Sequence, residues 1–347
     1  MRESAVRWAL VGGAAAAILL AAQAASVGGA TGLLQVGEAS NLRPLIEAEL
    51  GDLPLAPGPG HDGQIYYAIG LDLDGDEVGP LLDHAGYRYR RILFPLLASG
   101  FGLLEGEGLL WGMIVLVVAS TAVATGVVAV TARRTGLSEW IALSVVLNPG
   151  IWLSVRLLTA DVTAIAFMTL GLYAYSRSSS NTGPTFALAA LTKDVFVLTP
   201  LGSTLADPKQ WHRVAVTPLA VLGAWSFWLT QSLGEGFTPR QNLTWPLKGI
   251  VDAWSNWVHL GGEEWFYLAF TMGSVAVGLV AGLRRGWLRW PLLLWTALAL
   301  VSSNWVWDFG NNAARAFAPI IVLAVLTSGQ LRAGAGSPEG SAAAVGS

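Results

Sequence analysis

The chain contains no cysteine among its 347 residues, which excludes disulfides and thiolate metal sites. Its four histidines are never paired at ligand spacing, which argues against a zinc centre. No basic stripe or nucleic-acid motif is present. Neither the Gly-x-x-x-x-Gly-Lys-[Ser/Thr] loop nor a Rossmann fingerprint occurs, so a substrate carried on a lipid is easier to accommodate than a soluble nucleotide held by either motif. Charge is also scarce, at 12% of residues against about 25% in soluble proteins. In its place stand 53% hydrophobic residues and 16 tryptophans. Indole rings favour the water–lipid boundary. This is the composition of a polytopic membrane protein.

A spanning helix needs about 20 mostly apolar residues. The sequence predicts eight full spans: Trp8–Ala30, Gly108–Ala132, Trp140–Val155, Val162–Ser176, Val214–Leu233, Trp265–Leu283, Trp290–Trp307 and Ala313–Leu331. Ala22-Gln23-Ala24 resembles a signal-peptidase site. The uncharged run from Trp8 to Gly37 is longer than a signal core, so the segment is read as a retained first helix. A further segment, Gly183–Ala206, is interrupted by Lys193-Asp194 and carries Pro184 and Pro200. Were it to cross fully, the later basic loops would flip outside. As a re-entrant hairpin it keeps Lys209, Arg213, Arg284, Arg285, Arg289 and Arg332 inside, as the positive-inside rule asks. Residues 1–332 then form a single transmembrane domain. The Gly/Ala/Ser-rich tail 333–347 is expected to be disordered.

This topology places Thr31–Glu107 outside, far longer than a simple connector. The loop carries two polar motifs, His61-Asp62-Gly63-Gln64-Ile65-Tyr66-Tyr67 and Tyr87-Arg88-Tyr89-Arg90-Arg91. Asn41–Leu50 suits a short surface helix, and Asp72–Glu77 an acidic turn. Pro95 suits the first turn of an interfacial helix, Pro95–Leu103, whose free amides would cradle a phosphate. On the same outer side fall Asp161, Lys193, Asp194, Asp308 and Arg315. Carboxylates and arginines gathered at one boundary suggest an enzyme that handles a lipid-linked phosphate.

These residues resemble the GT-C superfamily of membrane glycosyltransferases, in particular bacterial relatives of the GPI mannosyltransferase II family. The resemblance rests on Asp62-Gly63-Gln64-Ile65-Tyr66-Tyr67 after helix one, Tyr87 to Leu97, Leu157-Leu158-Thr159-Ala160-Asp161, Leu191-Thr192-Lys193-Asp194 and Arg315-Ala316-Phe317-Ala318-Pro319. The chain departs from the pattern twice. Many GT-C members pair two acids in the first loop, where Asp62 is followed by Gly63. The hairpin often reads Thr-Arg-Glu in similar members, where this chain has Thr192-Lys193-Asp194. The resemblance implies inverting transfer of a sugar from a polyprenyl phosphate to a glycan, lipid or protein acceptor outside the cytoplasmic membrane. It indicates no cofactor and leaves a divalent metal open.

Such a transfer needs a base for the acceptor hydroxyl and cations for the departing phosphate. Asp62 is the base candidate, with an Asx-turn cap as its bland alternative. His61 either orients Asp62, binds sugar or is incidental. Gln64, Tyr66 and Tyr67 are candidate sugar ligands; Tyr66 and Tyr67 cannot share one helical face, so at least one of them is a packing or belt aromatic. Arg88, Arg90 and Arg91 are phosphate candidates, against snorkelling to lipid headgroups. Lys193 is a further cation for phosphate or sugar, with Asp194 beside it; a local ion pair across the bend is the alternative. Asp161 either binds acceptor or complements a helix dipole. Asp308 and Arg315, seven apart, suit a structural ion pair, although Arg315 can also reach a carrier phosphate. Trp245, Trp254 and Trp257, in the second outer loop Glu235–Glu264, suit interfacial anchoring more than sugar stacking. The rival functions are a transporter or flippase for a lipid-linked sugar, and a non-catalytic membrane scaffold.

Overall fold

The computed structural model describes residues 2–234, 242–284 and 286–330. The expected disordered tail, Arg285 and Arg332, and the start of the second outer loop at Glu235 lie outside the described residues. Every regular element among the described residues is helical, beside three isolated bridges. In chain order these are α1 (Arg2–Ser26), α2 (Arg43–Leu50), α3 (Asp62–Leu71), α4 (Ala85–Tyr89), α5 (Leu93–Ala98) and α6 (Gly106–Arg134). There follow α7 (Leu143–Val146), α8 (Pro149–Arg156), α9 (Asp161–Ser176), α10 (Thr182–Thr192), α11 (Leu198–Ala206) and α12 (Trp211–Val214). The remainder are α13 (Val216–Leu233), α14 (Lys248–Trp257), α15 (Gly262–Leu283), α16 (Arg289–Val301), α17 (Asn304–Trp307) and α18 (Gly310–Thr327).

Among the described residues four helices, α1, α6, α15 and α18, are long and apolar enough to cross a membrane. A fifth joins them if Pro208–Val214 and α13, bent by 46°, count as one broken span. Exposed Leu10 and Ile18 on α1 and Val115 on α6 suit hydrocarbon contact. The other expected spans are shorter or interrupted. Trp140–Val155 breaks at Asn148-Pro149: Asn148 is extended, its side chain accepts from Gly150 N at 3.0 Å, and Pro149 opens α8. Proline cannot donate the hydrogen bond needed to continue the preceding turn. The segment at Val162–Ser176 is a single helix, α9, of 16 residues. The run from Trp290 stops at Val301, where Ser302 and Ser303 are extended before α17.

The core pairs join distant sequence. Helix α1 lies against α6 closely enough that a Cβ on Gly12 would sit 2.9 Å from Thr121 O. Small residues permit such approaches between membrane helices. Two ends of the bundle are defined by α6. Near Arg134, its guanidinium donates to Ser176 O at 3.1 Å and Gln330 N donates to Thr135 O at 2.9 Å. Arg7 pairs with Glu139 at this same end. Near Gly106, Tyr67 OH donates to Gly106 O at 3.1 Å, so the first loop folds over the opposite end.

The segment around Lys193 is a hairpin. Lys193 is extended, ending α10 and starting a 3-10 turn that leads into α11. Its two limbs return to one end of the bundle. Arg213 Nε donates to Ser179 O at 3.1 Å just before α10, while α11 finishes five residues before Trp211, the start of the helix that holds Arg213. The limbs diverge: α10 packs on α9 and α13, whereas α11 packs on α16. Trp295 Nε1 donates to Thr199 Oγ1 at 3.0 Å across that second contact.

Candidate active site

Asp62 is the first residue of α3, after an extended His61. The approach to it is fixed by Gln64, whose amide donates to Pro59 O at 2.7 Å and accepts from Gly37 N at 3.3 Å. One end of that amide holds the Pro/Gly turn and the other the facing segment at Gly37, so Gln64 acts as a structural tie and lines neither cavity. Gly63 explains the single acid. A Cβ there would lie 2.5 Å from Leu157 O and 3.2 Å from Leu34 O. Any side chain would push α3 off the α8–α9 turn, which carries Asp161.

Asp62 is held from two sides. Arg88 Nη1 donates to Oδ1 at 3.1 Å and Arg315 Nη2 to Oδ2 at 3.1 Å. The remaining edge of Arg88 is clamped by Asp83, with Nε and Nη2 each at 2.9 Å from a carboxylate oxygen. Arg315 Nη1 is 4.0 Å from Asp161 Oδ2. Asp161 in turn pairs with Lys193 and accepts from Thr159 Oγ1 at 2.8 Å. The result is an alternating row, Asp83–Arg88–Asp62–Arg315–Asp161–Lys193, drawn from two first-loop segments, α9, the hairpin and α18. Each guanidinium is shared between two carboxylates. Beside the row, Arg90 pairs with Asp194 at 3.1 Å.

Arg91 differs from these. It is nine-tenths buried, yet no carboxylate lies within ion-pair distance of it among the described residues. It donates to the hydroxyls of Tyr66, at 3.4 Å, and Tyr87, whose ring centroid is 4.5 Å away. Its Nε has no partner. Tyr87 also lies 5.7 Å from Arg88 and 5.9 Å from Arg90. Among the described residues, Asp62, Asp83, Asp161 and Asp194 set against Arg88, Arg90, Arg91, Lys193 and Arg315 leave one positive charge, and Arg91 is the cation without a carboxylate partner there.

These charges set the protonation states. Burial opposes ionisation of Asp62, but the Arg315 and Arg88 guanidiniums outweigh it and hold the carboxyl well below its ordinary range. His61 is lowered, first by burial and then by Arg315, which favours its neutral form. Burial pushes Tyr66 up to about 12, so its hydroxyl keeps its proton.

Two cavities meet here. A polar chamber of about 500 Å³ is lined by Asp62, Arg88, Asp161, Lys193, Asn312 and Arg315, with Trp305 on its wall. A largely apolar groove of about 420 Å³ adjoins it, walled by Leu198, Leu222, Leu243, Leu298 and Phe317. Arg90 and Asp194 lie on the groove side. Tyr87, Arg91, Lys193 and Asn242 line both. The unbalanced cation therefore sits on the seam.

The structure brings together Asp62, Arg88, Arg91, Asp161, Lys193 and Arg315. Tyr66 stands behind Arg91, edge-on to Phe94 at 5.2 Å, rather than on a chamber wall. Tyr67 is fully buried and its hydroxyl is used by Gly106 O. Asp62 is no turn cap, since both its oxygens face arginines. Asp308 does not pair with Arg315. Phe309 is extended and α18 starts at Gly310, which takes Asp308 off the helix face. Asp308 accepts from Asn256 at 2.8 Å and Asn304 at 3.1 Å instead. The expected phosphate cradle before Pro95 is also absent. Arg90 and Ile92 are already helical, so α5 begins at Leu93 as a buried continuation with no open end facing the arginines. Trp257 is buried, while Trp245 and Trp254 are exposed. Asp83, Tyr87 and Thr159 were not singled out from sequence. Tyr87 stands inside the arginine motif, and its place before three arginines is a signal; an exposed loop acid such as Asp83 carries none.

Comparison with protein-family models, curated proteins and solved structures gives no match to this chain.

Proposed function

We propose that this chain is a membrane glycosyltransferase of GT-C type, moving a sugar from a polyprenyl phosphate to an acceptor hydroxyl outside the cytoplasmic membrane. The observation that carries this reading is the meeting of a charged chamber and an apolar groove at Arg91. An isoprenoid tail would occupy the groove, its phosphate the seam and its sugar the chamber. A sugar phosphodiester carries a single negative charge, matching the one cation in excess.

In the proposed reaction the acceptor oxygen attacks the anomeric carbon and its proton passes to Asp62. The bond from that carbon to the phosphate oxygen breaks, and the carrier leaves as a phosphomonoester with one more negative charge. Arg91 neutralises part of it, with Arg88 and Lys193 within the same chamber. Resting Asp62 is a weak base because two guanidiniums hold it. A phosphate competing for Arg88 would loosen one of those holds and make the carboxylate more basic.

Sidedness follows from charge. The bundle end at Arg134 also gathers Arg2, Arg7, Arg133, Arg177 and Arg213, which supports its being cytoplasmic. In this reading the chain crosses eight times, with the interrupted segment 139–156, α9, bent 208–233 and α16 completing the set, and α10–α11 forms the re-entrant hairpin.

The test is purified protein in liposomes with radiolabelled polyprenyl-phosphate sugars and candidate acceptors. Covalent transfer that disappears in Asp62→Asn supports the enzyme. Movement of the donor across the bilayer without transfer overturns it in favour of a flippase. Unchanged function of Asp62→Asn in cells overturns it in favour of a scaffold.

A further inference from the structure

Helix α14 carries two apolar stripes, and the protein covers only one. Gly249, Ala253 and Trp257 are buried. Gly249 lies so close to the extended link before α17 that a Cβ would overlap Ser302 O, and Trp257 Nε1 donates to Trp307 O at 2.8 Å. The second stripe, Val251, Trp254 and Val258, follows the i, i+3, i+7 spacing of one helix face, and Leu247 precedes it at the left-handed N-cap. Leu247, Val251, Trp254 and Val258 are 52%, 69%, 66% and 70% exposed. Polar residues fill the remaining face. Lys248 pairs with Asp252 at 2.6 Å, Ser255 is exposed, and Asn256 reaches Asp308.

Four large apolar side chains in a row are costly to leave in water, at about 25 cal/mol per Å² of apolar surface. What covers them is indicated by their surroundings. Only four residues separate α14 from α15, which is long and apolar enough to span. The stripe therefore starts where a spanning helix meets the boundary. Further exposed aromatics accompany it, Trp245, Trp305 and Phe309. Tryptophan-rich amphipathic helices of this design lie in the interface plane.

We propose that α14 is an interfacial helix whose Leu247–Val258 stripe is buried in the phospholipid leaflet beside the groove. The attachment is direct: Leu243 lines the groove and bridges Ser302, the residue against which Gly249 packs. The leaflet and the groove thus share a wall. If the chain handles a lipid-linked donor, as proposed above, the donor enters sideways past this helix without leaving the bilayer. The membrane contact itself does not depend on that activity.

The native chain lacks cysteine, so single-cysteine variants take a nitroxide label at one site. Val251→Cys and Asp252→Cys, both exposed on α14 and about 100° apart around it, are reconstituted in phosphatidylcholine/phosphatidylglycerol vesicles. Spin relaxation by oxygen is compared with relaxation by a water-soluble nickel chelate. At 251 oxygen should dominate, placing the label ~5–10 Å below the headgroups; at 252 nickel should dominate, so the ratio differs several-fold. Val258→Cys repeats the first result if Val251→Cys folds poorly. Equal ratios at 251 and 252 overturn the proposal. So does protection of 251 from both reagents with spin–spin broadening, which would mean a second copy of the chain covers the stripe. No donor or acceptor is present, so either result leaves the sugar-transfer reading to its own test.

Discussion

The chamber and the groove are neighbours of similar size, yet they are built from opposite materials. The chamber walls carry charges whose every carboxylate meets a cation. The groove walls carry leucines and a phenylalanine, with Arg90 and Asp194 paired at its edge. On the reading proposed above, the difference teaches how one substrate with two incompatible halves would be held. The polar half would meet groups that are already balanced and can exchange partners. The apolar half would meet surface that asks for nothing but exclusion of water. Arg91 belongs to both and is balanced by neither.

The comparison can be broken most severely at the acid. Asp62→Asn removes the only carboxylate among the described residues flanked by both Arg88 and Arg315, and transfer is expected to fall by ~100-fold or more, a loss far larger than any fall in the amount of folded protein recovered in detergent. Arg91→Ala comes next. Losing a hydrogen bond to a charged group costs about 1.5–3 kcal/mol, or ~10- to 150-fold. The loss should fall on donor binding, measured by equilibrium binding of a fluorescent polyprenyl phosphate. Ser226→Trp fills the groove and leaves the chamber alone. It should weaken use of long-chain donors by ~10-fold, from the apolar area it displaces, and leave a short-chain donor unaffected. A chamber variant should not discriminate between those two donors, so the pair of assays sharpens the contrast directly.

The smallest expected effect is at Asp83. Its replacement by Asn frees the Nε edge of Arg88 and removes a negative charge near Asp62. Both changes stabilise ionised Asp62 further, so the acid limb of the transfer rate should move to lower pH, with a rate loss of ~2- to 10-fold at neutral pH. The sign also fixes stability. The Asp62 carboxyl lies below its ordinary value near 3.9, so its pairing stabilises the fold above that pH and is lost as pH falls through the depressed value. Thermal melts of wild type and Asp62→Asn should converge in strong acid.

The all-helical character was legible from apolar runs, although only four of the eight expected spans are single helices long enough to cross, and the turn at Lys193 was legible from two charges inside one run. That signal worked because an ionisable pair cannot sit in the middle of an apolar helix without a reason, and the break at Lys193 is where the backbone turns. Asp62 and the arginines were legible as a group, but their pairing was not. Lys193 turned out to answer Asp161, and Arg315 answered two acids at once, because partners set by folding leave no trace in spacing. Asp308 shows the limit of periodicity: seven residues make one face only while the helix continues, and Phe309 is extended. Gln64 reads as a sugar ligand in isolation, yet its amide ties two backbone groups together, donating to Pro59 O and accepting from Gly37 N. Gly63 looked like a missing acid and is instead the contact that lets α3 approach Asp161.

The alternating row of six has a consequence for any attempt to dissect it. Because each of the four inner members compensates two neighbours, deleting one leaves its former partners stranded in a poorly hydrated place, and the measured damage includes their loss of pairing. Truncations at Asp161 and Lys193 should therefore be strongly non-additive, the double variant faring better than the sum of the singles. A site wired in this way resists ranking residue by residue; it behaves as one object with six handles.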